Sequence, residues 1–225
     1  MDRQIFIGEG ELDHHVRLIA DEFRMGFEVV EKIDRPAVTV FGSARLPAGD
    51  RAYRLAVATG RAFAEAGWGV VTGGGPGIME AANRGAREGG GLSIGFNIVL
   101  PHEQGENVYL DISATFHHFY ARKTMFVKAA EGFVVFPGGF GTLDELYESL
   151  TLIQTGKIKH FPVVLFGSEH WATMLRWTRE ELMAEGFISE GDLDLVSVTD
   201  DPLEAVRTVV DCYEGRCAHV VAGGA

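Results

Sequence analysis

Two glycine-rich turns, each set between a continuous apolar run and a helical pattern, constrain the fold of this chain more than any other feature. Residues 73–77 follow the apolar run 69–71, and residues 137–142 follow the run 132–136. In a strand–turn–helix unit of this kind, the backbone N–H groups at the helix N-terminus can cradle a phosphate. A glutamate also stands in the predicted first turn of each following helix. The two turns together predict a nucleotide-binding site that also carries residues for acid–base chemistry. The structural alternative is that the glycines only form tight βα turns and bind no ligand.

Neither turn matches the two commonest nucleotide-binding motifs. Aligning G-x-G-x-x-G on Gly75 and Gly77 places Glu80 at the third glycine position, where only a small residue allows close helix–strand packing. Aligning it on Gly139 and Gly141 places an aspartate there. No Gly-Lys-Ser/Thr follows either turn, so a P-loop is also excluded. Dinucleotide redox chemistry and nucleoside triphosphate hydrolysis are therefore disfavoured.

The composition describes one soluble α/β domain. A chain of 225 residues with 46% hydrophobic and 23% charged residues can bury a core without disulfides or metal. The net charge of −12 opposes a broad nucleic-acid or anionic-membrane surface, although a few oriented N–H groups and an arginine can still bind an anion locally.

Cysteine content and the absence of long apolar stretches indicate the compartment. Cys212 and Cys217 form neither a secreted disulfide framework nor a zinc pattern, and we expect free thiols. The N-terminus has no basic segment followed by an apolar run, and no apolar stretch approaches membrane-spanning length. The sequence predicts a cytoplasmic protein without a membrane segment.

Short apolar runs alternate with helical patterns along the chain. Predicted strands cover residues 37–41, 69–71, 92–97, 132–136 and 161–166, with extended segments at 108–112 and 193–198. Predicted helices cover residues 9–33, 51–66, 76–88, 114–131, 142–155, 171–185 and 202–213. This alternation predicts a Rossmann-like, doubly wound α/β domain with a parallel sheet covered on both faces. We expect an N-terminal helical extension over 1–35, the nucleotide-binding domain over 36–215 and a tail over 216–225.

Three predicted strand ends carry polar or glycine-rich residues: Gly42-Ser43, residues 72–77 and residues 137–142. Ligands of open parallel sheets bind outside the carboxyl ends of the strands, where the strand order reverses. We therefore expect these three segments to line one pocket.

The second turn carries a family resemblance. Residues 137–145, Pro-Gly-Gly-Phe-Gly-Thr-Leu-Asp-Glu, reproduce the PGGxGTxxE signature of the LONELY GUY (LOG) family of cytokinin riboside 5′-monophosphate phosphoribohydrolases. Residues 73–80 resemble the other glycine-rich loop of that family, and residues 41–45 resemble its first strand end. Arg122-Lys123 stands where the family has an Arg-Lys pair. The resemblance covers roughly residues 37–202.

The resemblance implies hydrolysis of the N-glycosidic bond of a purine nucleoside 5′-monophosphate, which gives free base and ribose 5-phosphate. It assigns catalysis to Arg122 and Glu145. The expected substrate-binding residues are Gly42, Ser43, Gly74, Gly75, Gly77, Glu80, Lys123, Gly138, Gly139, Gly141 and Thr142. It also implies a homodimer with the helix around Arg122 close to the partner.

Neither a metal nor a cofactor is expected. No H-E-x-x-H or comparable ligand cluster appears in the sequence. Relatives of this fold have been labelled lysine decarboxylases, but no lysine can be assigned as the anchor of pyridoxal phosphate. A non-catalytic carrier of a nucleotide or of the molybdenum cofactor, on the same fold, is the second hypothesis.

The predicted catalytic pair has a chemical rationale and a structural alternative. Glycosidic cleavage passes through an oxocarbenium-like state, which the carboxylate of Glu145 can stabilise while it activates water. Arg122 can hold the phosphate or assist the departing base, and Lys123 is a weaker point charge. The alternatives are a helix-dipole carboxylate and a solvated basic pair. Glu80 can bind ribose hydroxyls or serve only at the start of its helix.

Overall fold

The computed structural model describes residues 11–100, 105–158 and 161–216. Within them, seven parallel strands form one sheet in the order β4-β3-β2-β1-β5-β6-β7. The strands are β1 (Ala37–Phe41), β2 (Gly69–Thr72), β3 (Ser93–Ile98), β4 (Ile112–Phe116), β5 (Phe133–Val135), β6 (Val163–Phe166) and β7 (Val196–Thr199). The order reverses between β1 and β5, which confirms the predicted doubly wound α/β fold.

Helices connect the strands and cover both faces of the sheet. They are α1 (Glu11–Val30), α2 (Arg51–Glu65), α3 (Ile78–Glu88), α4 (Phe119–Ala129), α5 (Phe140–Gln154), α6 (Ser168–Trp177) and α7 (Pro202–Tyr213). A π-helical turn, Thr178–Met183, extends α6, and a 3₁₀ segment, Glu190–Leu195, precedes β7. No helix in this described part of the chain combines the length and apolar character needed to cross a membrane.

The core forms two layers because successive residues of each strand point to opposite faces. In β1, Val38 and Val40 join a buried cluster with side chains of α2, α3 and α7. Ala37 and Phe41 join the other cluster, which contains side chains of α1, α4, α5 and α6. Both faces are therefore apolar, as the continuous hydrophobic runs in the sequence predict.

The start of α4 differs from the sequence prediction. The predicted helix 114–131 begins only at Phe119, because Ala114 and Phe116 belong to the edge strand β4. There Ala114 and Phe116 are buried while Ser113 and Thr115 are exposed, the alternation of a half-buried strand. The predicted extended segment 108–112 reaches the sheet only at its last residue.

The N-terminal helix α1 packs against α4 and β4. Its Gly26 allows a close approach, because a Cβ there would lie 2.8 Å from the Met125 side chain. Glu22 accepts hydrogen bonds from the backbone N–H groups of His117 (2.8 Å) and His118 (3.1 Å). This carboxylate from α1 therefore holds the two residues that lead into α4, whose N-cap side chain, His118, makes no capping bond to the helix.

The remaining predictions concern the two ends of the chain and the cysteines. Residues 1–10 and 217–225 lie outside the described residues, so the proposed bounds of the extension and the tail stay predictions. Cys212, on the buried face of α7, is disulfide-bonded, and the expectation of a free thiol at this position is therefore wrong.

Candidate active site

A cavity of about 790 Å³ lies where the strand order reverses. The ends of β1, β2 and β5 all contribute to its wall, as expected for this fold. The wall also includes Asn97 and Ile98 at the end of β3, and Phe119, Arg122 and Phe126 of α4.

Ser43 ties the two glycine loops together at the end of β1. Its N–H donates to the carbonyl of Pro137 in the second loop, at 3.0 Å. Its carbonyl accepts from the N–H of Ile78, the first residue of α3, at 3.0 Å. Both loops are thereby fixed to the central strand of the sheet.

The first glycine loop, residues 73–77, is buried and braced by side chains. The Thr72 hydroxyl accepts from the Gly74 N–H at 2.9 Å and donates to Oδ1 of Asn83 at 2.6 Å. Nδ2 of Asn107 donates to the carbonyls of Gly74 (3.1 Å) and Gly75 (3.2 Å). The Gly74 N–H and the carbonyls of Gly74 and Gly75 are therefore satisfied within the protein.

The second glycine loop, residues 137–142, is open to solvent. Gly139 and Gly141 are exposed, and a Cβ at either position would meet nothing within 4 Å. Gly139 caps α5 without a side-chain bond, and among the described residues the N–H groups of Phe140 and Gly141 have no acceptor. A helix N-terminus with free N–H groups facing a cavity is an anion site by its geometry.

Glu145 lies one helical turn further along α5 and lines the cavity. It is 9% exposed and makes no hydrogen bond to a described residue. Burial raises its pKa to about 7, against the opposing effect of the positive charges of Lys123 and Arg122. A carboxyl group of this kind changes protonation near neutral pH, as a general base or acid must.

Arg122 reaches the same cavity from α4. Its Nε donates to the carbonyl of Phe96 at 2.7 Å, and its Cζ lies 5.0 Å from the centroid of the Phe126 ring. Gly73 leaves room for it, because a Cβ there would lie within contact distance of Nη2. Burial lowers the pKa of Arg122 to about 10, so the guanidinium stays charged at neutral pH. Within the described chain no carboxylate forms an ion pair with it, which leaves both Nη groups to a ligand.

Lys123 points to a different set of partners. Its Nζ lies 3.0 Å from Oδ1 of Asp144 and 2.9 Å from Oε2 of Glu148. The lysine joins α4 to α5 and does not line the cavity. Asp144 and Glu148 are its ion-pair partners.

The predicted site residues divide into two groups. Those that line the cavity are Gly42, Ser43, Gly75, Arg122, Gly139, Gly141, Thr142 and Glu145. Those that do not are Gly74, Gly77, Glu80, Lys123 and Gly138.

Most of the second group supports the loops. Gly74 and Gly77 have φ values of +70° and +69°, which favour glycine. A Cβ at Gly138 would overlap the Thr142 side chain. Glu80 accepts a hydrogen bond from the hydroxyl of Tyr53 at 2.7 Å.

Asn97 is a cavity residue for which the sequence analysis proposed no role. Its position as the polar last residue of a predicted apolar strand was the available signal, since ligands bind at such strand ends. Across the ranges that the structure describes, no group of three or more His, Cys, Asp or Glu side chains is placed to hold a metal ion.

Comparisons with known proteins identify the family. A family model described as "Possible lysine decarboxylase" matches residues 79–209. A cytokinin riboside 5′-monophosphate phosphoribohydrolase from Mycobacterium marinum is 31% identical over 181 residues, which cover 78% of this chain and 96% of that protein. The chain belongs to the LOG family.

One further relative and one solved structure are also similar to this chain. A probable LOG-family phosphoribohydrolase from Oryza sativa is 33% identical over 147 residues, 64% of this chain and 59% of that protein. The Moco carrier protein from Chlamydomonas reinhardtii has a similar structure, with a TM-score of 0.58, 25% identity and coverage of 80% of this chain and 99% of that one. The LOG signature thus lies on a fold that is shared with a carrier protein.

Proposed function

We propose that this protein hydrolyses the N-glycosidic bond of purine nucleoside 5′-monophosphates, giving free base and ribose 5-phosphate. The observation that carries the proposal is the position of Glu145, a buried carboxyl group that no described residue hydrogen-bonds, one turn beyond an open helix N-terminus. The LOG-family relatives named as phosphoribohydrolases support the same reaction.

The 5′-phosphate is proposed to bind at the second glycine loop. Among the described residues the N–H groups of Phe140 and Gly141 have no acceptor, and together with the positive end of the α5 dipole they favour an anion there. Thr142, which lines the cavity, adds a hydroxyl donor. Phosphate at this position puts the sugar beside the next turn of α5, where Glu145 lies.

In the proposed reaction the C–N bond to the base breaks and a water oxygen bonds to the anomeric carbon. The ionised Glu145 stabilises the positive charge that develops on the sugar and accepts a proton from the water. The base leaves with the bonding electrons and takes up a proton from solvent, which balances the proton that Glu145 accepts from the attacking water and later returns to solvent. Arg122 has both Nη groups available to bind the phosphate or the departing base.

The test is release of adenine from AMP, measured by chromatography, with GMP, IMP and cytokinin riboside 5′-monophosphates as further substrates. We expect base release with at least one purine monophosphate and almost none with the Glu145→Gln variant. If no nucleoside monophosphate releases base with the wild-type protein, the proposed hydrolase function is wrong.

A non-catalytic carrier is the second candidate, because the Moco carrier protein from Chlamydomonas reinhardtii has the same fold. A carrier gains nothing from a carboxylate beside an anionic ligand, which favours the hydrolase. Tight AMP binding by calorimetry together with no base release would favour the carrier.

We further propose that the protein is a homodimer. Large apolar side chains are exposed on α1 and at the start of α4, among them Leu12, Val16, Phe119 and Tyr120. Burying this surface in a second copy would bring the helix of Arg122 close to the partner, as the family resemblance implies. Light scattering at micromolar concentration should give twice the monomer mass; an active monomer would contradict the proposal. The cytoplasmic location stays a prediction.

A further inference from the structure

Asn97 has an unusual environment at the end of β3. It is 7% exposed, and in the part of the chain that the structure describes its Nδ2 is the one fully buried side-chain nitrogen or oxygen without a hydrogen-bond partner. Burying an unpaired amide is costly, and native proteins rarely leave one. An exception of this kind needs a reason.

Neighbouring buried asparagines show that the fold can pair such groups. Asn83 accepts from the Thr72 hydroxyl at 2.6 Å and donates to the Ser93 hydroxyl at 2.8 Å. Asn107 donates to two loop carbonyls and accepts from the Tyr109 N–H at 3.1 Å. Asn97 differs from both because it lines the cavity.

The first glycine loop passes directly over the Asn97 amide without bonding to it. A Cβ on Gly74 would lie within contact distance of the amide oxygen and 2.6 Å from its nitrogen. The preceding residue, Phe96, holds Nε of Arg122 with its carbonyl at 2.7 Å. The unpaired amide is therefore adjacent to the attachment point of the proposed catalytic arginine.

The sheet order separates Asn97 from the proposed phosphate position. Asn97 lies on β3 and the second glycine loop follows β5, with β2 and β1 between them. Three strand spacings amount to about 14 Å. A phosphate held at the N-terminus of α5 cannot also contact an amide at that distance, so the amide faces another part of a bound nucleotide.

We propose that Asn97 is a substrate-binding residue that hydrogen-bonds the nucleoside part of the ligand, either a sugar hydroxyl or the polar edge of the base. The inference rests on the proposed function. An amide both donates and accepts, which suits either group. The ligand supplies the hydrogen bond that the folded protein lacks.

The test compares Asn97→Leu with Asn107→Leu, both of which replace an amide by an apolar side chain of similar size. Calorimetry in a Glu145→Gln background avoids turnover and gives Kd for AMP, ribose 5-phosphate and inorganic phosphate. For Asn97→Leu we expect an unchanged or higher Tm, about tenfold weaker AMP binding and unchanged phosphate binding. Asn107→Leu should lower Tm, because it leaves loop carbonyls unpaired. Asn97→Ala, which cannot overpack the site, should repeat the binding result.

The ribose 5-phosphate measurement distinguishes the two ligand groups. Weaker binding of both AMP and ribose 5-phosphate supports a sugar contact, and weaker binding of AMP alone supports a base contact. Unchanged AMP affinity, an equal loss of phosphate affinity, or a Tm loss like that of Asn107→Leu would overturn the inference. Failure of the parent protein itself to bind AMP would instead show that the proposed function is wrong, and the inference would fall with it.

Discussion

The first glycine loop is buried, and Asn107 bonds two of its carbonyls. The second loop exposes Gly139 and Gly141 beside two helix N–H groups that have no acceptor among the described residues. Both loops connect the carboxyl end of a parallel strand to the following helix, so both lie at the same end of the strands. The difference lies in burial and in the loop carbonyls: protein donors bond the carbonyls of Gly74 and Gly75 in the buried first loop, whereas the exposed helix N-terminus of the second loop is open to a ligand. We infer that the first loop shapes the cavity and the second binds the anion.

The two glutamates that follow these loops show the same contrast. Glu80, in the first turn of α3, accepts a hydrogen bond from Tyr53 at 2.7 Å and does not line the cavity. Glu145, in α5, lines the cavity and has a pKa raised to about 7 by burial. One carboxylate belongs to the framework, and the other is available for chemistry.

The largest expected effect is on kcat, and it distinguishes the role of Glu145 from that of Glu80. Glu145→Gln keeps the size of the side chain but removes the negative charge that stabilises the oxocarbenium ion. We therefore expect kcat for AMP to fall about 10²-fold or more. AMP binding should survive or tighten slightly, because a negative charge near the phosphate is lost. Steady-state base release and calorimetry measure the two quantities.

Glu80→Gln is the matched control, since the amide can still accept the hydrogen bond from Tyr53. Its kcat should stay within a few-fold of wild type. A near-wild-type kcat for Glu145→Gln would mean that Glu145 is only a carboxylate that interacts with the helix dipole near the start of α5. That result would favour the carrier hypothesis.

A second expected effect is on stability and concerns the first loop only. Asn107→Ala removes the donor to Gly74 and Gly75 and leaves buried carbonyls unpaired, which should cost about 1–3 kcal/mol of unfolding free energy. Urea denaturation followed by fluorescence measures the change. An unchanged denaturation midpoint would mean that this loop is not held by its side-chain network.

A smaller effect is expected from Gly139→Ala in the second loop. The added methyl meets no protein atom within 4 Å, so Tm should not change. It occupies space at the proposed phosphate position, and AMP affinity should fall roughly tenfold. Gly49→Ala, also without a neighbour within 4 Å but outside the cavity lining, is the control. Equal AMP affinity for both variants would argue against phosphate at this loop.

The smallest expected change is the pH dependence of kcat. Because the ionised Glu145 is the active form, kcat should rise with pH through about 7 and level off above it. Its pKa is raised above the usual 4.5, so its contribution to stability is full below that value and is lost as pH rises through about 7. Glu145→Gln should therefore lack the rise in kcat and gain stability relative to wild type above neutral pH. A rise in kcat that persists in the variant would assign the titration to another group.

The sheet and its two loops are predictable because their signals are local. Apolar runs followed by glycines at residues 73–77 and 137–142 define strand, turn and helix without tertiary information. The start of α4 was missed because the residues at 114–116 also fit a helical pattern, and only pairing with β3 makes them a strand.

The roles of individual polar residues are less predictable because they depend on distant partners. Glu80 and Glu145 have similar sequence contexts, and the hydroxyl that engages Glu80 comes from Tyr53, 27 positions away. Lys123 resembles part of a basic pair until folding brings Asp144 and Glu148 to it. That Nδ2 of Asn97 has no hydrogen-bond partner among the described residues is visible only in the folded structure.

The most direct test of the account compares AMP with adenosine as substrates of the wild-type protein. If the open N-terminus of α5 binds the 5′-phosphate, that remote binding positions the sugar against Glu145 and lowers the barrier to glycosidic cleavage. The account predicts that kcat/KM for adenine release from AMP exceeds that from adenosine by about 10²-fold or more. Comparable kcat/KM values for the two substrates would contradict it.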